Sequence, residues 1–320
     1  MYKREYKKIR QLREVLQKSV RDNTPKEPYG IFLSVGVDSG LLAAWTQPKV
    51  AFTCKFPANP IYDEFDSAQR TVKMLGLKHN VVEVNKEDFL NNFQDAVRAY
   101  GKPTTHFSLV PLYLLFKRAS ETGLKTILSG EGPDEYLGGY ASYSFLMNDQ
   151  RLYEQEELRN YHPAINKYLG EPIERFARIL NKDVAELKPH WDKYDTLLSK
   201  VGYTDLQVRN IEEMELKLAE HFGIKLVYPY MTPEVEEFCF REVPDDLKVR
   251  GFTTKYGFKK IAEKYIPKEV AWRKNKLGGP VAPIGLWLQQ EDEFDKTKYV
   301  ELQTRILNGE DFNNIRTSLL

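Results

Sequence analysis

Short runs of apolar, β-prone residues alternate with helical stretches between residues 29 and 129, and this rhythm constrains the fold more than any other feature of the chain. The predicted strands cover 30–34, 49–56, 79–84 and 125–129, and the predicted helices lie near 39–46, 63–75, 87–99 and 109–122. Strands that are apolar throughout, rather than alternating, are typical of a parallel sheet covered on both faces. With right-handed crossovers, the pattern predicts a doubly wound α/β layer. Ligands of such sheets bind beyond the carboxyl ends of the strands.

Helical patterns replace the β-prone runs after about residue 140. The predicted helices lie at 151–160, 171–187, 204–222, 233–242 and 255–264. One more helix is predicted over residues 2–20, where apolar side chains recur at helical spacing and basic side chains occupy the opposite face. We interpret that basic face as solvated surface. The predicted fold class is therefore α/β, a doubly wound parallel sheet with a helical C-terminal region.

Charge and composition exclude several classes of protein. The 320 residues include 47 Lys+Arg and 46 Asp+Glu, and the net charge of +1 makes a nucleic-acid partner unlikely. No apolar stretch of roughly 18 residues and no signal-peptide pattern occurs, so we expect a cytoplasmic protein without a membrane partner. Cys54 and Cys239 lie far apart and are predicted to be buried thiols. The five histidines match no zinc motif.

The first predicted strand runs into the turn SVGVDSG at 34–40 and then into a helix. Unpaired N–H groups and the positive end of the helix dipole converge at such a turn, which predicts a phosphate site built by Ser34, Gly36 and Ser39. Asp38 would repel phosphate unless it holds a cation such as Mg2+. An ordinary N-cap is the alternative explanation of this turn. The turn lacks the ending of a Walker A loop, and the chain contains no G-x-G-x-x-G.

A second turn follows the last predicted strand and reads SGEGPDEYLGGY at 129–140. It places Glu131, Asp134 and Glu135 within five positions, again at the carboxyl end of a parallel strand. Carboxylates from both turns, Asp38 and Asp134, are predicted to share Mg2+ bound to ATP phosphates, because hard cations take oxygen ligands together with substrate phosphates.

These two motifs resemble the synthetase domain of the asparagine synthetase and β-lactam synthetase family. The family's pyrophosphate loop reads S-G-G-x-D-S, and its second motif reads S-G-E-G-x-D-E-x-x-x-G-Y. Tyr62-Asp63-Glu64, Lys255 and the run PKEVAWRKNKLGG at 267–279 resemble further family segments. The resemblance implies an adenine-nucleotide α-hydrolase-like fold and a carbon-nitrogen ligase that uses ATP and Mg2+. In the implied reaction, a carboxylate would attack the α-phosphorus, pyrophosphate would leave, and a nitrogen nucleophile would then displace AMP.

The resemblance also implies roles for individual residues. Ser34, Gly36, Ser39 and Gly130 would cradle the nucleotide phosphates. Asp38 and Asp134 would bind magnesium as well as the nucleotide. Lys276, Lys255 and Glu131 are the predicted catalytic residues, with Lys276 stabilising the transferring group. The strict family register places the lysine at Asn275, between Lys274 and Lys276, and we choose Lys276 because Gly278 then keeps the family's K-x-G spacing.

The chain departs from the family pattern at several positions. Val35 replaces a glycine of the pyrophosphate loop, so either this position needs no positive φ or ATP binding is weakened. Lys225, Val227 and Thr232 stand where Glu, Arg and Asp are usual, which makes aspartate only the default acceptor.

Tyr2 occupies the position of the family's glutaminase cysteine, and no glutaminase domain is predicted ahead of Tyr29. The nitrogen would come from free ammonia, from a separate glutaminase subunit or from an amine. Two alternatives to the ligase stay open: a degenerate relative that binds nucleotide or a partner without turnover and, with less support, a tRNA-modifying ATP pyrophosphatase.

Three regions are predicted along the chain. Residues 1–28 form an N-terminal docking helix, residues 29–145 form an ATP-binding α/β core, and residues 146–320 form a helical region on the acceptor side, packed on the core.

Overall fold

A five-stranded, all-parallel sheet forms the centre of the α/β layer in the computed structural model, which describes residues 2–57, 65–154, 170–209, 212–274, 280–287 and 296–315. The strands are β1 (Gly30–Phe32), β2 (Val50–Lys55), β3 (Lys78–Glu83), β4 (Thr126–Leu128) and β5 (Lys225–Val227). Their order across the sheet is β3-β2-β1-β4-β5, and every neighbouring pair is parallel. The predicted doubly wound parallel sheet is therefore confirmed.

Helices make up most of the rest of the described chain. In chain order they are α1 (Tyr2–Asn23), α2 (Val37–Thr46), α3 (Phe65–Leu75), α4 (Lys86–Tyr100), α5 (Leu109–Glu121), α6 (Pro133–Tyr136), α7 (Ala141–Tyr153), α8 (Pro172–Leu180), α9 (Val184–Trp191), α10 (Leu197–Arg209), α11 (Glu213–His221), α12 (Pro233–Arg241), α13 (Asp245–Lys248), α14 (Tyr256–Ala262), α15 (Lys268–Ala271), α16 (Ile284–Trp287), α17 (Lys296–Leu307) and α18 (Phe312–Ile315). Across the described ranges, no helix is both long and apolar enough to cross a bilayer.

The sheet reverses its winding direction between β1 and β4. The chain moves outward from β1 to β2 and β3, then returns to add β4 on the other side of β1. Right-handed connections of this kind place helices on both faces of the sheet. The carboxyl ends of β1 and β4 are thus adjacent at the switch point of the sheet, where ligands of doubly wound folds bind.

The described residues divide into two compact units that are not contiguous in sequence. The sheet unit comprises 25–129, 212–227 and 275–320, and the helical unit comprises 1–24, 130–211 and 228–274. The chain passes from one unit to the other directly after β4, between Ser129 and Gly130. The boundaries predicted after residues 28 and 145 stay predictions.

Each unit has an apolar core of its own. In the sheet unit, aromatic side chains fill the layer beside the strands, with Phe32 and Phe116 in edge contact at 4.7 Å between ring centroids. In the helical unit, Tyr143, Phe176 and Trp191 belong to a second buried cluster. Burying one large apolar side chain contributes about 1.5–3 kcal/mol, so both clusters contribute substantially to stability.

Helix α1 packs within the helical unit along its apolar face. Leu12, Leu16 and Val20 are buried, and the Ser19 hydroxyl donates a hydrogen bond to the Pro229 carbonyl at 2.7 Å. The amphipathic helix predicted over residues 2–20 is therefore confirmed.

Two of the predicted helices need correction, and one strand was not predicted. The helix predicted at 171–187 is interrupted at Asn181, whose φ of 52° ends α8 before α9 begins. The single helix predicted at 204–222 corresponds to two helices in the structure, the end of α10 and the whole of α11. Strand β5 was not predicted, because the charged Lys225 interrupts the apolar run from Ile224 to Val227.

Candidate active site

The β1–α2 turn, residues 34–39, is organised by two serine hydroxyls. Ser34 Oγ lies 3.0 Å from Ser39 Oγ and accepts a hydrogen bond from the Gly36 N–H at 3.0 Å. Ser39 Oγ in turn accepts from the Ser34 N–H at 3.1 Å. The three predicted phosphate-binding residues are therefore brought together within one turn.

Helix α2 begins at this turn without a side-chain cap. Its N-cap is Gly36, with φ −69° and ψ 147°, and this glycine provides no side-chain cap for the helix. The first N–H groups of a helix have no intrahelical partner, and they favour an anion at this position. The N-cap residue itself is thus a glycine, and the choice between a phosphate site and an ordinary N-cap stays a prediction.

Val35 and Asp38 are both buried in the same turn. Val35 is 2% exposed and is not among the residues with positive φ, so its β-branched side chain fits the local backbone. Asp38 is 5% exposed and lies in the first turn of α2, where the helix dipole favours a negative charge. The glycine of the family pattern is thus not needed here for its conformational freedom.

The two candidate turns leave the sheet from neighbouring strands. Ile31 of β1 pairs with Leu128 of β4, and the Ser129 N–H donates to the Val227 carbonyl at 3.0 Å. Gly130 is the next residue and begins the acidic turn, residues 130–140, which belongs to the helical unit.

Gly132 is the N-cap of α6, the helical part of the acidic turn. Gly132 has a φ of +109°, which favours glycine, and it precedes Pro133 at the start of α6. Asp134 and Glu135 follow within this single helical turn and are 8% and 2% exposed. Glu131, which comes before the helix, is only partly buried.

Asp134 and Lys255 form a buried ion pair. Lys255 Nζ lies 2.7 Å from Asp134 Oδ1, and the lysine is 2% exposed. Lys255 directly precedes α14. Its φ of 50° is a left-handed backbone conformation that residues other than glycine rarely adopt. Two of the predicted site residues therefore meet, although they are distant in sequence.

Gly139 lies directly against this ion pair. A Cβ atom at that position would lie 1.8 Å from Asp134 Oδ1 and 2.3 Å from Lys255 Cε. The Gly139 N–H also donates to the Asp134 carbonyl at 2.7 Å. The space that the ion pair occupies therefore exists because this residue has no side chain.

Glu135 carries a carboxyl group with an unusual proton affinity. Burial, and then the negative charge of Asp134, raise the pKa of Glu135 to about 8. The Tyr140 hydroxyl donates a hydrogen bond to Glu135 Oε1, and burial also raises the pKa of Tyr140. Tyr140 was part of the sequence motif, but its role as a partner of Glu135 was not predicted.

Several predicted residues lie outside the part that the structure describes. Lys276, Asn275 and Gly278 fall in the gap at 275–279, and Tyr62-Asp63-Glu64 fall in the gap at 58–64. Lys274 is described and is exposed. The choice between Lys274 and Lys276 stays a prediction.

Three residues that differ from the family pattern lie on β5 and at the start of α12. Lys225 and Val227 are the first and last residues of β5, and Lys225 is exposed. Thr232 is the N-cap of α12: its Oγ1 accepts from the Val235 N–H at 3.4 Å and lies 3.0 Å from Ser19 Oγ. Threonine can therefore serve as the helix cap where the family pattern has aspartate.

The chemistry of the side chains fits a magnesium-bound nucleotide. Carboxylates such as those of Asp38 and Asp134 are the ligands that Mg2+ uses in nucleotide sites, where phosphates and water complete its coordination. Within the described ranges, no group of three or more His, Cys, Asp and Glu side chains could hold a metal by itself.

Comparison with known proteins decides the family. The family model described as asparagine synthase matches residues 11–306. The chain belongs to the asparagine synthase family. The resemblance suggested by the two sequence motifs is therefore confirmed.

Curated relatives of the chain include asparagine synthetases from several bacteria, a yeast and plants. Asparagine synthetase [glutamine-hydrolyzing] 1 of Bacillus subtilis is 26% identical over 349 residues, which cover 94% of this chain and 54% of that protein. A putative asparagine synthetase of Mycobacterium tuberculosis is 27% identical, covering 81% and 46%. Asparagine synthetase B of Escherichia coli is 23% identical, covering 83% and 44%. The chain thus spans about half the length of the curated relatives it matches.

One similar solved structure is the NMN synthetase of Francisella tularensis. It shares 16% identity with a TM-score of 0.31, and the match covers 69% of this chain and 98% of that one.

Proposed function

We propose that the protein is an ATP-dependent, AMP- and pyrophosphate-forming ligase that joins a small carboxylic acid to ammonia or an amine. Membership of the asparagine synthase family supports this proposal. The observation that carries it is the uncapped N-terminus of α2 beside Ser34 and Ser39, at the switch point of the sheet. Such a helix end is suited to the polyphosphate of a nucleotide.

The proposed reaction has two steps. A carboxylate oxygen of the acid attacks the α-phosphorus of ATP, and the bond to the bridging oxygen breaks to release pyrophosphate. The nitrogen nucleophile then attacks the acyl carbon, AMP leaves, and the nitrogen loses a proton. Negative charge grows on the phosphates in the first step, so preorganised N–H groups and cations lower its barrier.

The β1–α2 turn would hold the pyrophosphate end of the nucleotide. The hydroxyls of Ser34 and Ser39 already contact each other, and they would turn toward phosphate oxygens together with the Gly36 N–H. Gly130 would allow close approach of the backbone on the other strand end. That Asp38 and Asp134 share one magnesium stays a prediction.

Magnesium bound by these carboxylates would neutralise part of the phosphate charge. Lys255 already neutralises Asp134 at 2.7 Å, so it would help to keep this carboxylate ionised and oriented for the metal. We assign Lys276 to the transferring group and keep Glu131 as a catalytic residue, as parts of the same proposal.

Aspartate and ammonia are the default substrates, because the curated relatives are named asparagine synthetases. Lys225, Val227 and Thr232 change the charge at positions where the family pattern has Glu, Arg and Asp. Another small carboxylic acid is therefore included in the proposal. A separate glutaminase subunit is a possible source of ammonia, and the cytoplasm is the proposed compartment.

The proposal is tested by pyrophosphate and AMP release from ATP and Mg2+ with ammonium. Aspartate is screened against a panel of carboxylic acids, with the Asp134→Ala variant as the blank. Release with aspartate and formation of asparagine would establish an asparagine synthetase, whereas release with another acid would keep the chemistry and change the substrate. Tight ATP binding without release across the panel would contradict the ligase and favour a relative that only binds nucleotide.

A further inference from the structure

Tyr140 connects the acidic turn to helix α10. Its hydroxyl donates to Glu135, and its ring lies 4.7 Å from the guanidinium carbon of Arg209, the last residue of α10. The distance is within the range of a cation–π contact. The orientation of Tyr140 is therefore constrained at both ends of its side chain.

Arg209 is itself held by a buried carboxylate. Its Nη2 donates to Asp205 Oδ2 at 2.6 Å, and its Nε donates to the other carboxylate oxygen. Asp205 is fully buried and also accepts a hydrogen bond from the Tyr143 hydroxyl. A two-pronged contact of this kind fixes the plane of the guanidinium group, which a lysine cannot reproduce.

The backbone of α10 also lies against the acidic turn. A Cβ atom on Gly202 would lie 2.1 Å from the Glu135 carbonyl oxygen, so only glycine allows this approach. The helix that carries Asp205 and Arg209 is therefore in direct contact with the turn that carries Asp134 and Glu135.

We propose that Arg209 is a positioning residue that acts through Tyr140 on Glu135 and so fixes the neighbouring Asp134 carboxylate for the magnesium-bound nucleotide. The inference rests on the proposed function, because it takes Asp134 as a ligand of that metal. Arg209 does not touch the nucleotide in this proposal. It holds the Tyr140 ring, the Tyr140 hydroxyl holds Glu135, and Glu135 is joined to Asp134 within the one turn of α6.

The chain offers a matched control for this arginine. Arg241 also pairs with a carboxylate four residues earlier, Glu237, through its Nε, and lies 5.2 Å from the ring of Tyr194. Its side chain is half exposed, and it lies on α12. The Arg241→Lys variant therefore changes a similar arginine–carboxylate–tyrosine contact that does not involve Tyr140.

The test is isothermal titration calorimetry of the full chain with ATP at several Mg2+ concentrations, together with thermal unfolding. Arg209→Lys and Tyr140→Phe are each expected to weaken magnesium-dependent ATP binding about fivefold, and the double variant is expected to be no weaker than either single one, because both act through one contact. Arg241→Lys is expected to bind like the unmodified chain.

Two results would overturn the positioning role. One is an unchanged ATP affinity and magnesium requirement in Arg209→Lys, even where its melting temperature falls, since Arg209 would then only stabilise the fold. The other is full additivity of the two single changes, which would show that Arg209 does not act through Tyr140. If the unmodified chain binds no ATP with magnesium, the proposed function itself fails, and the inference fails with it.

Discussion

The β1–α2 turn and the acidic turn both follow a parallel strand, but different contacts hold them in place. Within the β1–α2 turn, the described hydrogen bonds link Ser34, Gly36 and Ser39, which lie within six residues of one another. The acidic turn depends on Lys255 and on the backbone of α10 near Gly202, both far away in sequence. A local hydrogen-bonded turn can be lost by a local change, whereas the acidic turn is sensitive to changes in distant elements.

The largest expected effect is the loss of the buried lysine. Lys255→Met would remove the lysine of the buried pair with Asp134, and breaking a buried pair in this way costs about 3–5 kcal/mol. The free energy of unfolding in urea measures this cost. Lys18→Met is the control, because Lys18 makes an exposed pair with Glu234 at 2.8 Å that contributes little. Equal effects of the two changes would contradict a special dependence of the acidic turn on its distant partner.

A methyl group at Gly139 is expected to have the next largest effect. Gly139→Ala places a Cβ atom 1.8 Å from Asp134 Oδ1, and such overpacking costs about 1–3 kcal/mol. Both the melting temperature and the affinity for ATP with magnesium should fall. Gly76→Ala serves as the control, because its φ of +65° is strained for alanine while the space around it is open. Gly76→Ala should lower the melting temperature and leave the affinity for ATP with magnesium unchanged.

Stability should also depend on pH through Glu135. The pKa of this carboxyl is raised from 4.5 to about 8, so the folded chain keeps a proton that the unfolded chain releases. Stability therefore falls as the pH rises from about 4.5 to about 8, by up to about 1.4 kcal/mol per pH unit from this group. Glu135→Gln should remove that component, which urea unfolding across this pH range would show. An identical pH profile in the variant would contradict the burial of a protonated Glu135.

The smallest expected effect on stability belongs to the β1–α2 turn. Ser39→Ala removes the contact with Ser34 Oγ and the acceptor for the Ser34 N–H, at a cost of about 0.5–1.5 kcal/mol. The affinity of Ser39→Ala for ATP should also fall, because the hydroxyl proposed to contact phosphate oxygens is absent. The N-terminus of α2 remains. Ser120→Ala, which removes only an exposed bond to the Lys117 carbonyl, is the matched control. Equal ATP affinities in the two variants would contradict a phosphate-binding role for this turn.

Prediction from sequence succeeded where neighbouring residues decide the structure. The strand, small-residue turn and helix around Ser34 and Ser39 show directly in the local pattern, and the same is true of the helix at residues 2–20. It failed at β5, where the charged Lys225 interrupts the apolar run, and at Asn181, where a left-handed residue interrupts an otherwise continuous helical pattern.

The partners of the acidic turn could not be read from the sequence in the same way. Asp134, Lys255 and Gly139 were visible as parts of separate motifs, but no local signal shows that the lysine pairs with the aspartate or that a glycine makes room for both. Gly202 gives even less sign of its role, since a glycine inside a helix is usually only unfavourable.

The amino-acid sequence by itself determined the parallel sheet, the helix that follows β1 and the family of the chain, because hydrophobic periodicity and turn chemistry act over a few neighbouring residues. Only the tertiary structure decided that Lys255 neutralises Asp134, that α10 lies against the acidic turn and that Tyr140 links Glu135 to Arg209. Apart from the hydrogen bond between Tyr140 and Glu135, these contacts join residues far apart in the chain. Burial gives them their strength, since a charge withdrawn from water is stable only beside the partner that the fold brings to it.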